Sequence, residues 1–222
     1  MIKAMKFFKI IIACFLLLSS FVLKAGKEEL NSNKIWVMGV PQYLFQNGIR
    51  LEIDKQLENP HNWITISPSI YHKDKPGNWL LGTQKVNSMS GAGVDLIYRW
   101  YPHGIRNRGG MYLAAGAGYL YIAQKYSGSL WETYTENNLT YIRYVDSEWN
   151  KQIHTGNIRG TLGYQLLPAR NFAIDFYCGF SIKMSEVTTP EGYLHYQDNY
   201  NFYEFGYSGM MIIGGMRLGI GW

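Results

Sequence analysis

The chain has 222 residues, 21 of them Lys or Arg and 16 Asp or Glu, a formal net charge of +5, and 2 cysteines. That length suits one domain. Two cysteines exclude a disulfide framework of the kind that staples small secreted scaffolds.

The first segment is MIKAMKFFKIIIACFLLLSSFVLKAG. Lys3, Lys6 and Lys9 form a positive n-region, and Ile10 to Leu23 is an apolar stretch of 14 residues. The polar KEELNSN follows. This pattern predicts a secretory signal over residues 1–25, cut after Ala25, with a single domain over 26–222. The apolar stretch falls short of the roughly 18–20 residues of a spanning helix, so a retained inner-membrane anchor is the weaker reading. Cutting before Cys14, as in a lipoprotein, would leave FLLLSSFVL where a polar tether belongs. Lys3, Lys6, Lys9 and Lys24 leave with the signal, so 17 basic residues remain of 21, against 16 acidic, a net +1. The positive charge is then mostly a property of the export signal and gives no support to a nucleic-acid partner. Cys178 is left alone, without an intrachain disulfide.

Beyond the signal the pattern changes to period two, the mark of strands with one apolar face. KIWVMGVPQYLF, 34–45, is a weak first strand, because Pro41 suits a strand end. In 48–57, Ile49, Leu51 and Ile53 oppose Arg50, Glu52 and Asp54. In 63–73, Ile64, Ile66 and Ile70 oppose Thr65, Ser67, Ser69 and Tyr71. In 92–101, Val94, Leu96, Tyr98 and Trp100 oppose Asp95 and Arg99. The stretch 110–125 is apolar or small on both faces. In 157–166, Ile158, Leu162, Tyr164 and Leu166 oppose Arg159, Thr161 and Gln165. In 171–183, Phe172, Ile174, Phe176, Cys178, Phe180 and Ile182 oppose Asp175, Ser181 and Lys183. The closing segment, 205–222, sets Met210, Ile212, Gly214, Met216, Leu218 and Ile220 against Arg217, Gly219 and Gly221, and finishes on Trp222.

The connections alternate in length. ENPHN, PHGIRNR (102–108) and LPAR (167–170) are short, whereas 73–90, 126–153 and 185–205 are long. Short periplasmic turns and long outer loops are the habit of outer-membrane barrels. The fold class expected is therefore all-β, an eight-stranded antiparallel transmembrane β-barrel, with both termini periplasmic. A soluble β-sandwich or lipocalin-like barrel also shows period two. The closing aromatic and the asymmetry of the connections weigh against it.

An eight-stranded barrel is just wide enough for side chains to fill. Five basic residues, Arg50, Arg99, Arg159, Lys183 and Arg217, would face inward with four acidic ones, Glu52, Asp54, Asp95 and Asp175. Their near-balance predicts a paired network that plugs the lumen, since unpaired burial would be costly. Tyr98, Trp100, Tyr119, Tyr121, Tyr126 and Trp222 are expected at the membrane interfaces.

No catalytic, cofactor or metal site is expected. His61, His72, His103, His154 and His195 fall in or beside predicted connections, without HExxH or His-x-His spacing, and G-x-S-x-G is missing. The one cluster to weigh for lipid chemistry is Ser67, Ser69 and His72. Ser69 and His72 sit three apart, which puts them on opposite faces of a strand, the wrong geometry for a nucleophile and its base.

The phrases GIRLEI…WITISPSIY, GAGVDLIYRWY, GMYLAAGAGYLY and GYSGMMIIGGMRLGIGW resemble those of small outer-membrane β-barrel, porin-family-like proteins of Bacteroidota. More loosely, they resemble eight-stranded barrels of the OmpA, OmpX and OmpW kinds. The resemblance implies residence in the cell outer membrane among its lipid and lipopolysaccharide. It also implies recognition of Met216, Leu218, Ile220 and Trp222 by the outer-membrane insertion machinery. It carries no substrate and no cofactor. The main functional expectation is a non-enzymatic barrel with a plugged lumen that meets an extracellular ligand or surface through long loops. The alternatives are a narrow channel for small solutes and a lipid A or phospholipid-modifying enzyme.

Overall fold

A computed structural model describes residues 35–74, 77–78, 85–105, 108–188 and 205–222. The predicted signal lies outside them. The strands are β1 (Ile35–Gly39), β2 (Gly48–Gln56), β3 (Asn62–Lys73), β4 (Gly77–Asn78), β5 (Lys85–Trp100), β6 (Gly109–Glu136), β7 (Leu139–Ala169), β8 (Phe172–Thr188) and β9 (Gly209–Gly221). Every pairing is antiparallel, between strands that follow one another around the sheet. β1 pairs with β9, from Trp36 opposite Gly221 to Gly39 opposite Leu218. β3 pairs with β5 from Asn62 opposite Trp100 to Lys73 opposite Met89. These two ladders close β1, β2, β3, β5, β6, β7, β8 and β9 into an eight-stranded ring. The two-residue β4 only borders β5.

The barrel is apolar outside and charged inside, the reverse of a water-soluble protein. Ile49, Ile70 and Ile212 are 54, 58 and 86% exposed, whereas Arg50, Glu52 and Asp54 are at most 3% exposed. Outward isoleucines in water would form one continuous adhesive patch. Closing the ring removes free sheet edges, which hydrocarbon does not tolerate. The fold is thus a transmembrane β-barrel. No helix among the described residues is long and apolar enough to cross a membrane.

Three departures from the expected elements have local causes. The first strand stops at Gly39, and Pro41–Gln46 form a 3-10 helix with Pro41 in its first turn. Proline has no N–H for a ladder but is preorganised for the start of a helix. Asn47, at φ 54°, ends it. Leu44 and Phe45 face outward, Phe45 at 80% exposure, while Gln42 Nε2 donates to Tyr177 Oη at 2.9 Å inside the barrel.

The segment 126–153 is not a loop. β6 and β7 continue as one hairpin, paired residue for residue from Ser127 opposite Glu148 to Glu136 opposite Leu139. The turn is Asn137-Asn138, with φ values of 51° and 60°. Two consecutive positive φ values match the twist of a hairpin, and asparagine tolerates them best after glycine. The ribbon rises roughly 33 Å at about 3.3 Å per residue past the points where β5 and β8 cease to pair. Such ribbons are marginal alone. Cross-strand rings brace this one, with Trp131 and Tyr144 4.9 Å apart and Tyr134 stacked on Tyr141 at 5.3 Å. Arg143 lies 5.1 Å from the Tyr134 ring.

β5 likewise begins at Lys85, well before the expected start at residue 92. Of the third predicted loop, 185–188 belong to β8, and 189–204 lie outside the described residues.

Candidate functional site: the layered lumen

Alternation along the strands turns one set of side chains into the lumen, and they form three layers. Toward the termini lies an apolar cluster of Trp36, Met38, Trp63, Ile97, Tyr101, Ile105, Tyr112, Ala114, Leu167 and Ala173. Toward the long hairpin lies a second, of Tyr71, Val86, Met89, Ile122, Tyr126 and Ile153, with Tyr43 and Phe205 packed against it. The charged residues occupy the space between.

In the charged layer Arg99, fully buried, is the hub. Its Nη2 donates to Glu52 Oε2 at 2.6 Å, and its Nη1 to Asp54 Oδ2 at 2.7 Å and Asp175 Oδ2 at 3.4 Å. Arg217 Nη1 donates to Asp175 Oδ2 at 2.8 Å, and its Nε lies 2.9 Å from Glu52 Oε2 as an ion pair without hydrogen-bond alignment. Arg50 Nε donates to Glu52 Oε1 at 3.0 Å, and Arg50 Nη1 bonds Asp95. Arg159 Nη2 reaches Asp95 Oδ1 at 2.7 Å, and Asn157 Nδ2 donates to the same oxygen at 3.1 Å. The chain of pairs runs through β2, β5, β7, β8 and β9 and so spans the lumen. Lys183 makes no hydrogen bond or ion pair among the described residues.

Two hydroxyls reach out of the terminal cluster, one to the charges and one to Gln165. Tyr112 Oη donates to Asp175 Oδ1 at 2.8 Å and accepts from Arg217 Nη1 at 2.8 Å. Tyr101 Oη donates to Gln165 Oε1 at 2.7 Å. Tyr112→Phe leaves buried Asp175 and Arg217 each one partner short. It is expected to cost about 1–3 kcal/mol, measured by urea unfolding of the refolded protein in lipid vesicles.

The apolar layers were not foreseen, and Tyr126 corrects an expectation. Expected at the membrane interface, it instead points inward, 7% exposed, and stacks on Trp149 at 5.6 Å. A signal for the layers exists in the strand register. Gly163 stands opposite Tyr112 and Gly118 opposite Asp95. A Cβ on Gly163 would lie 2.2 Å from the Tyr112 ring, and one on Gly118 1.6 Å from Asp95 Oδ1. Each glycine makes room for the large inward side chain across from it.

The histidines among the described residues do not converge, and His195 lies outside those residues. His154 sits within β7 rather than in a connection, with Tyr119 Oη 2.6 Å from its Nδ1. His72 pairs with Asp74 at 2.8 Å on the outside, and His61 Nδ1 lies 2.7 Å from the Tyr101 carbonyl. Ser67 and Ser69 are buried in the lumen while His72 faces outward, so the cluster weighed for lipid chemistry is split across the barrel wall. Among the described residues no group of three or more His, Cys, Asp or Glu is placed to hold a metal ion.

Comparison with known proteins adds little to this geometry. No protein-family model matches the chain, and no curated protein does. Among solved structures it is similar to the crystal structure of Acinetobacter baumannii CarO, at 12% identity and a TM-score of 0.43, over 87% of this chain and 100% of that one. It is also similar to that of Acinetobacter baumannii CarO2, at 13% identity and a TM-score of 0.40, over 89% and 100%. Scores at this level carry no argument, and the architecture stands on its own ladders: a closed eight-stranded antiparallel barrel of the membrane-spanning kind.

Proposed function

We propose that this protein is a non-enzymatic outer-membrane β-barrel with a plugged lumen, which works at the cell surface through its long hairpin. The observation that carries this reading is the layered interior. A route for solute would have to cross two apolar clusters and, between them, a hub of Arg99, Glu52 and Asp175 at 0–1% exposure. In this reading the termini lie in the periplasm, and the β6–β7 hairpin stands outside in the lipopolysaccharide layer. Its strand phrases resemble those of small outer-membrane barrels of Bacteroidota. A narrow channel for small solutes is the second reading, supported by the charged lining of the middle layer. Uptake of glycine or a small sugar by liposomes carrying the refolded protein tests between them. The plugged barrel predicts swelling no faster than in empty liposomes, and faster swelling would favour the channel.

The hairpin presents Trp131, Tyr141, Ile142 and Tyr144, all more than 40% exposed. Aromatic side chains of this kind give large contact area at low entropic cost. Removing residues 130–145 and closing Ser129 to Asp146 with Asn-Gly should leave the heat-dependent gel shift of the barrel unchanged and abolish binding to cells or surface polysaccharide. Binding that survives the deletion would take the interaction role away from the hairpin.

A further inference from the structure

We propose that the part of the lumen between Arg159 and Lys183 binds one small, freely diffusing oxyanion, a carboxylate or a phosphate. The charges of the lumen are unevenly shared. Glu52, Asp54 and Asp175 are taken up around Arg99 and Arg217. Toward the hairpin Arg50 shares Glu52 and Asp95, the same Asp95 is the carboxylate of Arg159, and Lys183 stands beside them with no ion pair of its own among the described residues.

Register places Lys183 directly across from Asn157 and Arg159 across from Ser181. Residues two apart on a strand share a face, so the ammonium and the guanidinium project side by side into one space. The neighbouring polar groups are already engaged. Asn157 Oδ1 accepts from Arg159 and its Nδ2 donates to Asp95, while Ser181 Oγ donates to the Ile158 carbonyl at 3.3 Å. The open capacity is therefore all donor: the three N–H groups of Lys183 and the side of the Arg159 fork turned away from Asp95. Two like charges at this spacing repel, and an anion between them reverses the sign of that interaction.

Access separates this space from the hub. The Arg159 side chain is 14% exposed, against 0–1% for Arg99, Glu52 and Asp175. Lys183 is half-buried. A partly exposed space in which cations outnumber carboxylates concentrates anions. The site ends at the sealed hub, so binding does not require conduction.

The test is isothermal titration of inorganic phosphate, and separately of acetate, into refolded protein in a non-ionic detergent at low ionic strength. The expected result is saturable binding of one anion per barrel, weakened by added salt and weakened by at least roughly tenfold in Lys183→Met. Ser181→Asp keeps both cations and sets a carboxylate between them, so it should lose the binding as well. The heat-dependent gel shift confirms that each variant is folded. No saturable binding of either anion by the parent, or Lys183→Met binding within twofold of the parent, would overturn the proposal. Neither result depends on whether the barrel conducts, so the plugged reading stands or falls separately.

Discussion

Arg99→Ala is expected to destabilise the barrel by about 3–5 kcal/mol, because one change leaves several buried carboxylates short of their counter-charge. Arg99 is 0% exposed and pairs with Glu52, Asp54 and Asp175 at 2.6, 2.7 and 3.4 Å. Arg217 still reaches Glu52 and Asp175, but Asp54 has no other cation within ion-pair distance among the described residues. The loss should appear as a lower urea midpoint in vesicles and a smaller fraction running as the compact, unheated gel form. Conductance should not appear, since the apolar layers above and below the hub remain. An Arg99→Ala barrel as stable as the parent would show that the network contributes little to folding. Replacing Arg99 and Asp54 together by Met and Leu should recover much of the loss, because a buried pair exchanged for apolar groups of similar volume is often neutral.

Trp222→Asp is expected to act on assembly rather than on stability. In the fold Trp222 is 59% exposed and exchanges backbone hydrogen bonds with Ile35, at 3.1 and 3.3 Å. A carboxylate there sits at the edge of the apolar band, where the folded-state cost is about 0–1 kcal/mol. We propose that Trp222, with Ile220, Leu218 and Met216, is what the outer-membrane insertion machinery reads. The variant should therefore refold in detergent like the parent while a large part of it is lost from outer-membrane fractions. Equal insertion in cells would remove that role from the closing strand.

The parts of this fold legible in the sequence are those that depend on a strict period of two. Ile49, Leu51 and Ile53 alternate with Arg50, Glu52 and Asp54 without interruption, so the faces of β2 follow directly from the order of residues. Strand ends and the hairpin were less legible, for a physical reason. From Tyr126 to Trp149 both faces carry aromatics and both carry polar groups, because both faces of a free ribbon meet solvent. Alternation vanishes there although the backbone remains a strand. The Asn137-Asn138 pair was the turn signal in that segment. Pro41 hinted at a strand end, but the 3-10 helix that follows depends on Gln42 and Tyr43 finding Tyr177 and Arg50 across the barrel. In the lumen, pattern could put charges on one face but could not say which carboxylate meets which guanidinium. It also could not reveal the apolar layers. An inward Tyr112 or Ile122 on β6 looks like any other apolar residue until the ring is closed.

The central claim is that the lumen is sealed at its hub of Arg99, Glu52 and Asp175, 0–1% exposed. Planar-bilayer recording of the refolded parent protein tests it most directly. The layered barrel predicts a silent membrane across the full voltage range, in the same preparations whose gel mobility shows folded barrels. Discrete, reproducible conductance steps from those preparations would contradict it and make the charged layer the lining of a pore.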